Sequence, residues 1–430
     1  MTIPQLYKIY QEYPLVTTDT RNCPKGSIFF ALKGERFDGN EYIGQALKNG
    51  CSYAVGDSEK LPNDSRIIRV DNVLKALQEL ANMHRKQFEI PVIAITGTNG
   101  KTTTKELVSV ALGSKYKVLY TEGNLNNHIG VPLTLLRLHS EHEYAVIEMG
   151  ANHQGEIHDL CMIAEPDYGL ITNVGKAHLE GFGSFEGIVK TKGELYDYLR
   201  TNKGTAFING DNLILKDLFI DLAKVYYGTT PESYVWGQMQ ESIPFLKLNW
   251  HKENDLYELA TYLVGAYNLE NVLAAICIAC YFGVEGAHVN RAIADYMPQN
   301  NRSQSKKTDK NLLIIDAYNA NPTSMKVALE SFFSLRTSPK MVILGEMNEL
   351  GEYTNEEHQK IVNLLLENRI EKVALCGNAF LACESLPSEW KIFENTSGLL
   401  EYLQSENIQG YTILIKGSRG NQLEKTLTFL

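Results

Sequence analysis

The residues most able to do chemistry are Gly97-Thr98-Asn99-Gly100-Lys101-Thr102-Thr103-Thr104. An apolar run, Pro91 to Ile95, precedes them, and an amphipathic stretch with Glu106, Leu107, Val110 and Leu112 follows. That order predicts strand, glycine loop, helix. A helix N-terminus presents free backbone N–H groups and a partial positive charge, so it suits a phosphate. Gly97 and Gly100 let the backbone approach the anion, Lys101 reaches terminal phosphates and the Thr102 hydroxyl is a Mg²⁺ ligand. The strict pattern G-x-x-x-x-G-K-[ST] is broken at one place, where Ile95 stands for the first glycine. A plain glycine turn would not need a lysine and three threonines, so nucleotide phosphate binding is expected.

Further chemistry sits at other strand ends. Glu148 closes the run Tyr144-Ala-Val-Ile-Glu148-Met. A carboxylate at that end can hold Mg²⁺ beside phosphates, and the competing reading is a strand-end acid facing water. His178 and Lys192 are placed to meet in one cleft, although a lone His is usually structural and a lone Lys usually solvated. Asn268 and Asn271 follow Gly265-Ala-Tyr; an asparagine there reads an adenine edge or, for the first, caps a helix. Asp316-Ala-Tyr-Asn319-Ala-Asn321-Pro suits a substrate edge or an Asx turn. Lys416-Gly-Ser-Arg419-Gly puts two cations in a glycine-rich loop, which favours an anionic group. Asp19-Thr20-Arg21 and Phe37-Asp38-Gly-Asn40, taken alone, are turns and surface charge.

Alternating elements must position these groups. Residues 1–85 hold short apolar runs around Ile28, Tyr53 and Ile67 and a helical stretch from Val73 to Phe88, a small α/β unit. Residues 86–300 alternate helices with buried-strand patterns at Val92, Val118, Tyr144, Tyr168 and Thr205, which predicts a doubly wound sheet with ligands at the strand C-termini. Pro298 to Lys310 is polar and aperiodic and reads as a linker or exposed loop. Residues 301–430 carry strand patterns at Leu312, Met341, Lys372 and Tyr411, a second Rossmann-like unit without a phosphate loop. Its polar strand ends are useful only if they face the central unit, so this unit is expected to close over the site.

The 430 residues carry a net charge of −10, which argues against nucleic acid as the main partner. No apolar run is long enough for a membrane span, and the N-terminus lacks a secretory pattern, so the cytoplasm is expected. Seven cysteines form no metal-like cluster. Cys277 and Cys280, spaced C-x-x-C, lie in a strongly apolar helical run and read as small buried residues rather than a redox pair.

The chain resembles the Mur ligase family over essentially its whole length. The resemblance rests on Gly97 to Thr103, on Glu148-Met-Gly-Ala-Asn-His-Gln-Gly-Glu-Ile and on Asp316-Ala-Tyr-Asn-Ala-Asn-Pro-Thr-Ser. Leu344-Gly-Glu-Met-Asn-Glu-Leu-Gly, Lys416-Gly-Ser-Arg-Gly and Thr18-Asp-Thr-Arg with Phe29-Phe-Ala-Leu-Lys-Gly also contribute. It implies three α/β domains: a UDP-sugar-binding domain at 1–85, a central P-loop ATPase domain at 86–300 and a Rossmann-like ligase domain at 301–430. The implied activity is ATP-dependent addition of D-alanyl-D-alanine to a UDP-muramoyl tripeptide through an acyl phosphate, by a monomer in the cytoplasm. Two Mg²⁺ ions are implied, held by Thr102, Glu148, His178 and a carbamylated Lys192, with Lys101 on the phosphates. Asn271 and Arg302 would contact ATP, and Asp316, Asn319 and Asn321 would lie near ATP and the dipeptide. Asn124, Asn127 and His128 would face the muramoyl peptide, with Asp19, Thr20, Arg21 and Asp38 in the UDP domain. Two departures from the family pattern are Asn301, where a glycine often precedes the arginine, and Ile315-Asp316, where relatives often carry two acids. The alternatives are a sibling ligase adding the third residue, a folylpolyglutamate-type ligase, or a regulatory P-loop NTPase.

Overall fold

The computed structural model describes residues 1–35, 37–177, 179–217, 221–242, 244–299 and 302–430. Three sheets organise the described residues, with a two-stranded ribbon beside the first. The first sheet is parallel, in the order Val16–Thr17, Ile28–Phe30, Tyr53–Gly56, Ile67–Arg69.

The central sheet has nine strands. Its parallel part runs Val235–Glu241, Ala223–Gly228, Thr205–Asn209, Tyr168–Ile171, Val92–Thr96, Tyr144–Glu148, Val118–Tyr120. Val92–Thr96 is buried at every residue, as a parallel strand covered on both faces should be. Its side chains alternate between two cores. Val92 and Ala94 pack with helices on one face, and Ile93 and Ile95 with Leu107, Val272 and Ile276 on the other. The first of those cores is continuous with the first sheet's, joining Leu6, Tyr10 and Leu77 to Ile147 and Leu160. Cys277 and Cys280 are free and buried in the helix Asn268–Tyr281. An antiparallel extension, Lys247–Lys252 and Asp255–Ala260, completes the sheet beside Val235–Glu241; the alternation of strands and helices did not foretell it.

The third sheet runs Gln304–Lys307, Leu312–Asp316, Thr412–Lys416, Lys340–Gly345, Lys372–Cys376, Lys391–Phe393, parallel except for the first strand. That first strand corrects the reading of Pro298 to Lys310 as linker or loop, since Gln304–Lys307 pairs with Leu312–Asp316. An edge strand needs no apolar alternation, and polar and lysine side chains protect its unpaired rim, so its sequence looks like a loop. Among the described residues no helix is long and apolar enough to cross a membrane.

Candidate active site

The glycine loop joins Val92–Thr96 to the helix Lys101–Gly113. Gly97 (φ +140°) and Gly100 (φ +80°) take conformations that disfavour any side chain, and a Cβ on either would strike Thr172 or Asn271. Gly100 caps the helix without a side-chain hydrogen bond. Its first N–H groups therefore remain available to a ligand.

A neighbouring strand end holds the loop in place. Thr172 Oγ1 donates to Asn99 O (2.6 Å), Asn173 Oδ1 accepts from Asn99 N (2.9 Å), and Thr98 Oγ1 accepts from Gly175 N (2.9 Å). Lys101 folds back so that Nζ donates to Gly97 O (2.8 Å) and Thr98 O (3.1 Å). Its pKa is pushed down to about 8, chiefly by burial, against the opposing pull of Glu148.

Glu148 is 1 % exposed at the end of Tyr144–Glu148. Oε1 accepts from Thr102 Oγ1 (3.1 Å) and Asn126 Nδ2 (2.8 Å), whereas Oε2 is buried without a hydrogen-bond partner. An orphaned carboxylate oxygen beside a threonine hydroxyl is a hard-oxygen donor set that fits Mg²⁺. Among the described residues no three His, Cys, Asp or Glu side chains gather around a point, so phosphate and water oxygens would complete such a shell.

Lys192, in the helix Phe185–Thr201, is 2 % exposed with Nζ 5.1 Å from the Phe182 ring centre. It does not line the cleft. Burial, and after it the Lys101 charge, push its pKa down to about 7, so much of the amine is neutral near neutral pH. His178 lies outside the described residues, as does Asn301.

A cleft of about 910 Å³ spans the three sheets' units. Lys101, Glu148 and Asn271 line it from the central unit, Gln78 from the first, and Arg302, Asp316, Asn319 and Lys416 from the third. Asn124, Asn127 and His128 also face it. Asn271 accepts from Thr104 Oγ1 (3.0 Å) and donates to Asn268 Oδ1 (3.0 Å). The helix-cap reading of Asn268 is corrected: Tyr267 is the N-cap, and Asn268 Nδ2 instead donates to Val264 O (2.8 Å). The buried Lys416 ammonium pairs with Asp316 at 2.5 Å.

The third unit's strand ends do face the glycine loop. Asn321 Nδ2 donates to Asn99 Oδ1 (2.8 Å), Lys176 N to Thr323 Oγ1 (3.1 Å), and Lys176 Nζ reaches Glu357 (3.5 Å). Asn321 is an Asx-type cap, accepting from Ser324 N at 2.8 Å, as the turn reading of it has it. Asp19, Thr20, Arg21 and Asp38 lie away from this cleft, in the first unit. Arg21 pairs with Asp19 (2.7 Å) and holds its carboxyl down at about 2, Thr20 O accepts from Asn49, and Asp38 caps the turn at Asn40.

Sequence reasoning missed Asn126, Asn173, Tyr318 and Thr323. Tyr318 and Thr323 sit inside a quoted motif as single polar letters, and only the folded chain supplies their partners.

A glycine loop at a parallel strand end, an acid one strand away and a third α/β unit with polar strand ends facing the loop define an ATP-dependent enzyme that joins two substrates. Three family descriptions match: "Mur ligase family, catalytic domain" at residues 12–85, "Mur ligase middle domain" at 95–279, and "Mur ligase, glutamate ligase domain" at 301–419. The UDP-N-acetylmuramoyl-tripeptide--D-alanyl-D-alanine ligase of Bacillus subtilis is 35 % identical over 95 % of this chain and 91 % of its own length. That of Escherichia coli is 34 % identical over 96 % and 93 %. Among solved structures, MurF from Acinetobacter baumannii superposes with a TM-score of 0.88 at 30 % identity, covering 99 % of this chain and 98 % of that one. MurF from Thermotoga maritima in complex with ADP gives 0.84 at 27 % identity, covering 96 % of each. The chain belongs to the Mur ligase family, whose members are ATP-dependent ligases that form peptide bonds.

Proposed function

We propose that this chain adds D-alanyl-D-alanine to a UDP-N-acetylmuramoyl tripeptide at the expense of ATP, as its relatives' names describe. The observation that carries the reading is the free helix N-terminus at Gly100 and Lys101, facing across one cleft the polar strand ends of the third unit. Residues 1–85 hold the UDP end, 86–300 hold ATP and 301–430 hold the incoming amine. The enzyme works as a monomer in the cytoplasm.

The tripeptide carboxylate oxygen attacks the γ-phosphorus, the bond to the β-phosphate oxygen breaks, and ADP leaves. The dipeptide nitrogen then attacks the carbonyl carbon of the acyl phosphate, gives up a proton, and phosphate departs. Most of the rate enhancement comes from positioning and charge neutralisation. Lys101, freed from Gly97 O and Thr98 O, turns onto the terminal phosphates, and the glycine-loop N–H groups hold them. Asn271 orients the adenine end and Arg302 meets the phosphate side. Asn124, Asn127 and His128 line the path of the muramoyl peptide. Asp316, Asn319 and Asn321 position the dipeptide, and Lys416 and Arg419 favour its carboxylate.

Thr102 and Glu148 would hold one Mg²⁺, with His178 and a carbamate on Lys192 for a second. The ions would supply neutralisation of phosphate charge. Carbamylation joins a neutral amine to CO2 with loss of one proton, and the depressed pKa of Lys192 favours the neutral amine.

The test is phosphate release with ATP, Mg²⁺ and UDP-muramoyl tripeptide, with and without D-alanyl-D-alanine. Release that needs both, with a pentapeptide product by mass, is expected. Release independent of the dipeptide would indicate an NTPase instead. Release only with a UDP-muramoyl dipeptide and a diamino acid would indicate the sibling ligase.

A further inference from the structure

Arg302 enters the cleft from the segment that leads into the third sheet. Gln304 pairs with Ile315 across the first two strands of that sheet, so Arg302 emerges beside the exit of Leu312–Asp316, where Tyr318 stands. The Arg302 guanidinium carbon lies 3.8 Å from the centre of the Tyr318 ring. The Arg302 Nε atom is buried and has no hydrogen-bond partner. The ring therefore does what a hydrogen bond at Nε would otherwise do: it fixes the plane of the guanidinium and leaves the rest of the fork to a ligand.

The ring is itself held. Arg419 Nη1 donates to Tyr318 Oη (3.2 Å), and its guanidinium carbon is 5.3 Å from the ring centre. Arg419 follows Ser418, whose hydroxyl accepts from Asn348 N (3.2 Å). Two cations from separate segments are thus set against one aromatic side chain at the rim of the cleft. Two guanidinium groups brought together repel unless an anion or a π-face lies between them.

We propose that Tyr318 is a positioning residue for ATP: it holds Arg302 in the orientation that meets the phosphate chain. The assignment rests on the reading that Arg302 faces the phosphates. Tyr318 touches neither the reacting carbonyl nor the amine in this role, so its loss should weaken ATP binding rather than slow turnover at saturation.

The test compares the wild type with Tyr318→Leu, Tyr318→Phe, Arg302→Ala and the Tyr318→Leu/Arg302→Ala double variant. The readouts are KM for ATP, kcat, the inhibition constant of inorganic tripolyphosphate and the melting temperature. Tyr318→Leu is expected to raise the ATP KM about tenfold, the size of one well-placed cation–π contact, with kcat changed less than about threefold. Tripolyphosphate should weaken by the same factor, because it has phosphates and no base. Tyr318→Phe keeps the ring and should stay within about threefold of wild type. The double variant should be no worse than Arg302→Ala alone.

A Tyr318→Leu enzyme that is folded by its melting temperature and keeps the wild-type ATP KM would overturn the proposal. So would full additivity in the double variant, or loss of ATP affinity with unchanged tripolyphosphate inhibition, which would put the ring against the base. An Arg302→Ala enzyme with unchanged ATP KM would remove the underlying reading of Arg302 itself, and the proposal with it. A raised KM for Arg302→Ala beside a normal one for Tyr318→Leu would overturn the role of Tyr318 alone.

Discussion

Two helices begin at the same cleft and begin differently. Lys101–Gly113 starts at a glycine with no side-chain cap, so its terminal N–H groups point outward with nothing of the chain's own to meet. Pro322–Phe333 starts with a proline, which has no N–H, and with a reciprocal cap between Asn321 and Ser324. The first helix leaves its donors for a ligand and the second satisfies them internally. The central unit thus offers the cleft a free helix N-terminus, while the third unit lines it with side chains: Arg302, Asp316, Asn319, Lys416. The contrast also predicts where a mutation should cost activity and where it should cost stability.

Lys101→Ala should be the most damaging change, lowering turnover about a thousandfold by removing a positioned charge from the phosphates, with no loss of melting temperature. Near-normal turnover would end the assignment of the glycine loop. Lys192→Ala should come next, with activity partly restored by a short carboxylic acid standing in for the carbamate. If the variant is as active as wild type before any acid is added, the carbamate has no role.

Asn126→Ala removes one of the two hydrogen bonds to Glu148 Oε1 and should raise the Mg²⁺ concentration needed for half-maximal activity by about 10- to 100-fold, as loss of a ligand's supporting hydrogen bond does. An unchanged Mg²⁺ titration would mean that Glu148 needs no such support. Asn321→Ala should cost about 1 kcal/mol of stability in denaturant, mainly as a lost cap. Should its activity fall far more than its stability, the contact with Asn99 matters more than the cap, and the contrast between the two helices weakens.

The smallest effect concerns His358 in the third unit. Its Nε2 accepts from Met347 N (2.9 Å) and its Nδ1 donates to Thr354 O (2.7 Å), an arrangement that needs the neutral ring. Burial holds its pKa below the usual 6.5, outweighing the bond to Thr354 and the Glu346 and Glu357 charges. The unfolded chain then binds the extra proton first, so this contribution to stability is present above about pH 6.5 and is lost as pH falls toward the lowered folded value. Melting temperature should drop between pH 7 and 5.5, and by less in His358→Gln. An equal drop in both would assign the effect to other groups.

Much of this architecture was legible because it is written in local pattern. The glycine loop is a run of eight letters between a buried strand and a helix, and Glu148 ends an apolar run, so their positions at the cleft could be read directly. The strand Gln304–Lys307 could not, since an edge strand made of Gln, Ser and Lys has no period to betray it. Nor could Asn126 or Asn173, whose meaning lies entirely in partners 22 and 74 residues away. The cap at Asn321 was visible as an Asx signal before proline, yet its bond to Asn99 joins two sheets and has no local signature.

The apolar core shared between the first unit and one face of the central sheet has a thermodynamic consequence. Leu6, Tyr10 and Leu77 cannot lose their packing without exposing the neighbours of Ile147 and Leu160 to water. The first unit and the central sheet should therefore melt as one cooperative body, while the third sheet, with cores on both its faces largely its own, has the means to unfold separately. Heating would then unfold the third unit before the other two, or the reverse, but would not unfold the first unit alone.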